Sequence, residues 1–231
     1  MRTVISRRSV HEGLLSAVLA GSLFLGATGC GGDGDNDGLP KDYKVVAGTQ
    51  LCGGRAISAD AAKALKVITG ASRFEASSKN YTVARAASDL VVATPGATVG
   101  GRGDACRVFK PTGTRQFQLR ITWRRAENPP TDEPAAAKFT VLKMGDETLA
   151  AADMAYVYFT CRSDKLAGSG GGANIVIGVE HWAVAEYPEE NVKALKDAYA
   201  TVAHSFSLAM AKELRCENNG GLPAKPVLDP A

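Results

Sequence analysis

The segment Gln116-Phe117-Gln118-Leu119-Arg120-Ile121-Thr122-Trp123-Arg124 alternates without a break, with Phe117, Leu119, Ile121 and Trp123 on one side and Gln, Arg and Thr on the other. Successive side chains of a strand point to opposite faces, so this strand has one apolar face to bury and one face that stays in water. Such a strand demands a second layer on one side only. The chain supplies a candidate for it. Val192, Leu195, Tyr199, Val202, Phe206 and Ala209 recur at three- and four-residue steps, with Lys193, Lys196, Asp197 and Ser205 falling elsewhere on the helix. That spacing predicts one amphipathic helix of about 25 residues ending near Cys216. Pro188 suits its first turn, with Glu189 and Glu190 at the positive end of the dipole. A partner coiled coil would show the same steps, but Tyr199 and the alanines suit packing on a sheet.

Two shorter helices precede the strands. Ser58 is a capping residue and Gly70 a stop for a helix on which Ala62, Leu65, Val67 and Ile68 make a mostly apolar face. Val83, Ala87, Leu90 and Val91 have helical spacing and predict a second helix that ends before Pro95. Further strands are expected at 106–110, 139–142, 155–161 and 173–184. Consecutive strands between helices give an α+β domain, a largely antiparallel sheet packed against N-terminal helices and one long C-terminal helix.

Ahead of this domain, Leu23-Phe24-Leu25-Gly26-Ala27-Thr28-Gly29-Cys30 closes the apolar stretch 13–27, which follows Arg2, Arg7 and Arg8. The stretch has the length of a signal-peptide core and falls short of the ~20 residues a spanning helix needs. Small residues just before a cysteine resemble a bacterial lipobox, in which diacylglycerol is attached to the cysteine sulfur. Ala27 stands where that pattern usually has leucine. Ser6-Arg7-Arg8 hints at twin-arginine export, but Val10 and His11 match the rest of that pattern poorly, and the general secretory route is preferred. Residues 1–29 are thus expected to be a signal peptide, 30–46 a Gly/Asp-rich tether, 47–217 one folded domain and 218–231 a disordered tail.

Export fits the other cysteines. Cys52, Cys106, Cys161 and Cys216 are an even set, which in an exported chain reads as two disulfides with three possible connectivities. Linking chain neighbours, Cys52 with Cys106 and Cys161 with Cys216, is the expected choice. No Cys-x-x-Cys spacing occurs, which argues against a zinc ribbon or a thioredoxin-like pair. Removing Arg2, Arg7, Arg8 and Glu12 lowers the formal charge from +3 to +1, so no basic excess points to nucleic acid.

Motifs that carry chemistry are few. Asp33-Gly34-Asp35-Asn36-Asp37-Gly38 matches the first half of a calcium loop, but Pro40 intrudes and Lys44 stands where the bidentate glutamate belongs. It reads as a solvated linker. The glycine-rich 167–173 lacks Gly-Lys-Ser/Thr and precedes a strand, which suits a hairpin loop and no phosphate cradle. Arg102-Gly103-Asp104 is expected in a turn before Cys106. His181 and His204 have no acid or cysteine at a partner spacing, and Glu180 points to the opposite face of the strand from His181. Both histidines read as structural. Trp123, Trp182, Tyr156 and Tyr158 suit either a ligand cleft or a core. Val157 and Phe159 alternate with the tyrosines, so both faces of that strand are apolar or aromatic, and a central strand covered on both sides is expected.

The layout resembles that of small secreted lipoproteins of actinomycetes. The resemblance rests on Cys30, Leu51-Cys52-Gly53-Gly54, Ala105-Cys106-Arg107-Val108-Phe109, Tyr156-Val157-Tyr158-Phe159-Thr160-Cys161 and Leu214-Arg215-Cys216. It implies an envelope location and disulfides and supplies no activity. The expected function is a lipid-anchored, non-enzymatic binding or interaction module on the outer side of the cell membrane, acting on an envelope ligand or protein without cofactor or metal. A tethered hydrolase and a structural or assembly accessory are the alternatives.

Overall fold

A computed structural model describes residues 44–111, 117–131, 133–166, 172–181 and 188–231. Cys30 and its lipobox, the calcium-loop-like tract 33–38, residues 167–171 of the glycine-rich loop and Trp182 lie outside the described residues. The centre is a six-stranded sheet built from β3 (Arg102–Phe109), β4 (Phe117–Ala126), β5 (Thr140–Leu142), β6 (Glu147–Ala150), β7 (Met154–Cys161) and β8 (Ala173–His181). Their spatial order is β3-β4-β8-β7-β6-β5, with every pairing antiparallel. Strands β5, β6 and β7 form a meander, and β8 returns to fill the place between β7 and β4. A separate small ribbon pairs β1 (Val45–Ala47) with β2 (Arg73–Glu75).

Three helices, α1 (Ala59–Thr69), α2 (Val83–Val91) and α3 (Val192–Leu214), join the strands in an α+β domain. The Ser58 hydroxyl accepts from the Ala61 amide at 3.1 Å, and Gly70 ends α1 in the left-handed region. The Thr82 hydroxyl caps α2 in the same way. From α3, Tyr199, Val202, Phe206, Met210 and Leu214 enter one core with Leu119, Ile121, Val157, Phe159 and Ile177 of the sheet. Each large side chain fully removed from water contributes about 1.5–3 kcal/mol. This helix starts later than the sequence predicts. Asn191, at φ 53°, is its cap, so Pro188, Glu189 and Glu190 lie ahead of the first turn.

Two disulfides fasten the layers. Cys52 is joined to Cys106, tying the short 3-10 segment Gly48–Gly53 to β3, and Cys161 is joined to Cys216, tying the end of β7 to the residue just beyond α3. The closed loops span 54 and 55 residues. On the chain-entropy account each contributes about 4 kcal/mol.

Both expected domain boundaries move outward. The tether was expected to run to 46, yet Val45 to Ala47 is already β1, with Val46 buried against the core. The stretch 218–231 is packed, not disordered. Gly220 lies against Phe159 so closely that a Cβ there would sit 2.6 Å from the ring, and its φ is +68°. Leu222 is buried in the main core, Val227 and Leu228 cover Leu142, Met144, Ala150 and Ala200, and the Ala231 amide donates to the Val141 carbonyl. The apolar residues of this stretch are dispersed among prolines without helix or strand period, so pattern alone does not mark them as core. Strands β1, β2 and β6 are three or four residues long and are likewise invisible to periodicity.

Candidate functional site

The side of the sheet away from the α3 core carries the chemistry. The register sets its side chains in rows across the strands. One row runs Arg102 (β3), Arg124 (β4), Val176 (β8) and Tyr158 (β7), and the next runs Asp104, Thr122, Gly178 and Tyr156. All of these but Asp104 line a concavity of about 700 Å³, with the loop 98–100 as its rim. That volume lies within the usual range of small-molecule pockets, roughly 300–1,000 Å³. The floor depends on Gly178. A Cβ there would fall 3.0–3.1 Å from the Tyr156 ring and 2.7 Å from the Thr122 hydroxyl, so only glycine lets the tyrosine ring lie across the strand.

Hydrogen bonds hold the floor in place. The Tyr156 hydroxyl donates to Glu180 Oε1 at 2.8 Å. Burial, and then this carboxylate, push the Tyr156 phenol well above the usual tyrosine range. A permanent donor therefore faces Glu180. Tyr158 is half-buried beside it, and among the described residues its hydroxyl makes no hydrogen bond.

The cations on this face divide into two sets. Arg107 Nε donates to Asp104 Oδ2 at 2.7 Å, and Arg120 Nε donates to Asp104 Oδ1. Arg107 also lies 5.2 Å over the Tyr81 ring. Asp104 is nearly covered, at 10 % exposure of its side chain, so this carboxylate is fully committed. Arg102 and Arg124 form the other set. They are exposed, stand directly opposite each other, and have no ion pair among the described residues. Like charges on directly opposed positions of a sheet destabilise it, by up to about 1 kcal/mol. The pair therefore does not serve the stability of the isolated fold.

The structure corrects two expectations here. Tyr156 and Tyr158 are not sealed under a second layer; they form part of the concavity, while Val157 and Phe159 fill the core. Arg102-Gly103-Asp104 is not a turn but the start of β3, and Gly103 is there because the Trp123 indole occupies the space a Cβ would need, at 2.9 Å. Trp123 is only 4 % exposed, yet one edge reaches the concavity. The alternation of Arg120, Thr122 and Arg124 shows in the sequence; their union with Tyr156, Tyr158 and Gly178 does not.

The two histidines stand apart from this face. His204 Nε2 lies 2.9 Å from the Pro223 carbonyl, and burial lowers its pKa. His181 ends β8, and its Nδ1 is buried without a hydrogen-bond partner. Burial and Lys110 lower its pKa against the opposing pull of Asp153. Among the described residues no three His, Cys, Asp or Glu side chains gather as a metal site, and no helix is long and apolar enough to cross a membrane. Comparison with family models, curated proteins and solved structures finds no match to this chain.

Proposed function

We propose that this protein is an extracytoplasmic binding module, anchored to the cell membrane by acyl chains on Cys30, that presents the open face of its sheet to a small ligand. The observation that carries the binding reading is the concavity over Gly178, which gathers Arg102, Arg124 and Tyr158, side chains that have no ion pair or side-chain hydrogen bond among the described residues. The anchor rests on Leu23 to Cys30, and the two disulfides support an oxidising compartment. A non-enzymatic role fits side chains arranged to grip: neither histidine is on this face, and Asp104 and Glu180 are each occupied as acceptors.

Two measurements test this reading. Intact mass of the membrane fraction gives an acylated chain beginning at Cys30; an unmodified chain released to the medium with another start refutes the anchor. For the seat, a fragment panel of anionic, neutral and cationic compounds is titrated into the isotopically labelled full chain carrying Cys30→Ser. Binders shift the amide signals of Gly100, Gly103 and Gly178. If no compound of any charge reaches these signals, the open face is not a ligand seat.

A further inference from the structure

Resting on the open face as a ligand seat, we infer that its ligand is a phosphomonoester with a flat, largely apolar body: the phosphate sits between Arg102 and Arg124, and the body lies over Val176 and Gly178 against Tyr158. Arg107 and Arg120 share Asp104, and Glu180, which keeps its charge while accepting from Tyr156, stands opposite Arg120, so that among the described residues Arg102 and Arg124 are two adjacent positive charges without a paired carboxylate. One guanidinium satisfies both oxygens of a carboxylate through a single bidentate pair. Two guanidinia side by side instead match an anion with three terminal oxygens and nearly two charges.

The geometry sets the rest of the ligand. Arg124, Val176 and Tyr158 lie in one row on adjacent strands. Strands are spaced by about 4.8 Å, so Arg124 and Tyr158 are roughly 10 Å apart and a head between the two arginines lies about 12 Å from the tyrosine. Between them the floor is apolar: Val176 is 4 % exposed and Gly178 has no side chain to block the approach. At the rim, Val99 is 89 % exposed and offers apolar surface beside the arginine pair. The Tyr158 hydroxyl, without a hydrogen bond among the described residues, meets a polar group on the far end of the body.

The probes are 1-naphthyl phosphate, 1-naphthoate, 1-naphthol and inorganic phosphate, titrated into the labelled full chain carrying Cys30→Ser. 1-Naphthyl phosphate is expected to shift the Gly103 and Gly178 signals and to bind more tightly than the naphthoate, the naphthol or phosphate alone. Arg102→Gln and Arg124→Gln, both on exposed side chains, each weaken it by about tenfold or more, the loss of one charge-assisted contact. Neither variant lowers the melting temperature, since each relieves a like-charge pair. Naphthol binding as tightly as the phosphate ester overturns the charge assignment while leaving the seat intact. Silence of every probe at these signals, with other fragments still shifting them, overturns the ligand class. Unchanged affinity in both variants removes the arginines from the site. Arginine-dependent binding to phosphatidic-acid vesicles without any response to 1-naphthyl phosphate refutes the soluble ligand in favour of a lipid headgroup.

Discussion

Leu222→Ala tests whether the stretch beyond Cys216 is part of the core. Leu222 is 5 % exposed and belongs to the same cluster as Phe159 and Leu214. Truncation to alanine removes three carbons, about 2.4 kcal/mol at roughly 0.8 kcal/mol each. A residual cavity adds to this, and buried Leu→Ala changes span about 2–5 kcal/mol. Leu222 sits where the chain leaves a 3-10 segment, Glu217–Gly221, and the following residues can settle inward, so the lower half of the range applies. The expected loss is about 3 kcal/mol, or roughly 6–12 °C in melting temperature for a domain of this size. Urea denaturation with both disulfides oxidised measures it, with an unchanged denaturant slope. Lys225→Ala, on an exposed neighbour, is the control and stays within about 0.5 kcal/mol. If Leu222→Ala is as silent as the control, the packed assignment of 218–231 is wrong.

Replacing Cys161 and Cys216 together by alanine lowers stability by about 4 kcal/mol through release of the 55-residue loop. A loss below about 1 kcal/mol in urea denaturation contradicts that account. The pH dependence follows from the histidines. Burial lowers the His204 pKa more than the Pro223 carbonyl raises it, and burial and Lys110 lower that of His181. Each then binds more protons unfolded than folded, so its contribution is complete above about pH 6.5 and is lost as the pH falls through that value towards the folded pKa. Between pH 7.5 and 5.5 the urea midpoint of His204→Gln therefore declines less than that of the natural chain; an equal or steeper decline refutes the sign.

Much of the layering was legible because it is local. Ser58 and Gly70 mark the ends of α1 by capping chemistry, and the spacing of Tyr199, Val202 and Phe206 marks the buried face of α3. The disulfide partners followed from chain proximity. The start of α3 was misplaced because Pro188 and two acids mimic a first turn, while the observed cap, Asn191, uses a left-handed backbone that no side-chain pattern announces. The tyrosines of β7 read as core from sequence because an aromatic on a central strand carries the same period whether or not a layer covers it.

The sequence by itself determined parity: Arg120, Thr122 and Arg124 on one side of β4 and Tyr156 and Tyr158 on one side of β7, since side-chain direction along a strand depends only on the backbone repeat of two. Only the tertiary structure decided that β8 lies between them, that Gly178 makes room for Tyr156, and that Arg102 stands opposite Arg124. Those facts are registers between segments far apart in the chain, set by how the whole apolar face packs on α3 and not by any local preference. The same reason covers 218–231, whose scattered apolar residues acquire meaning only against the surface they bury.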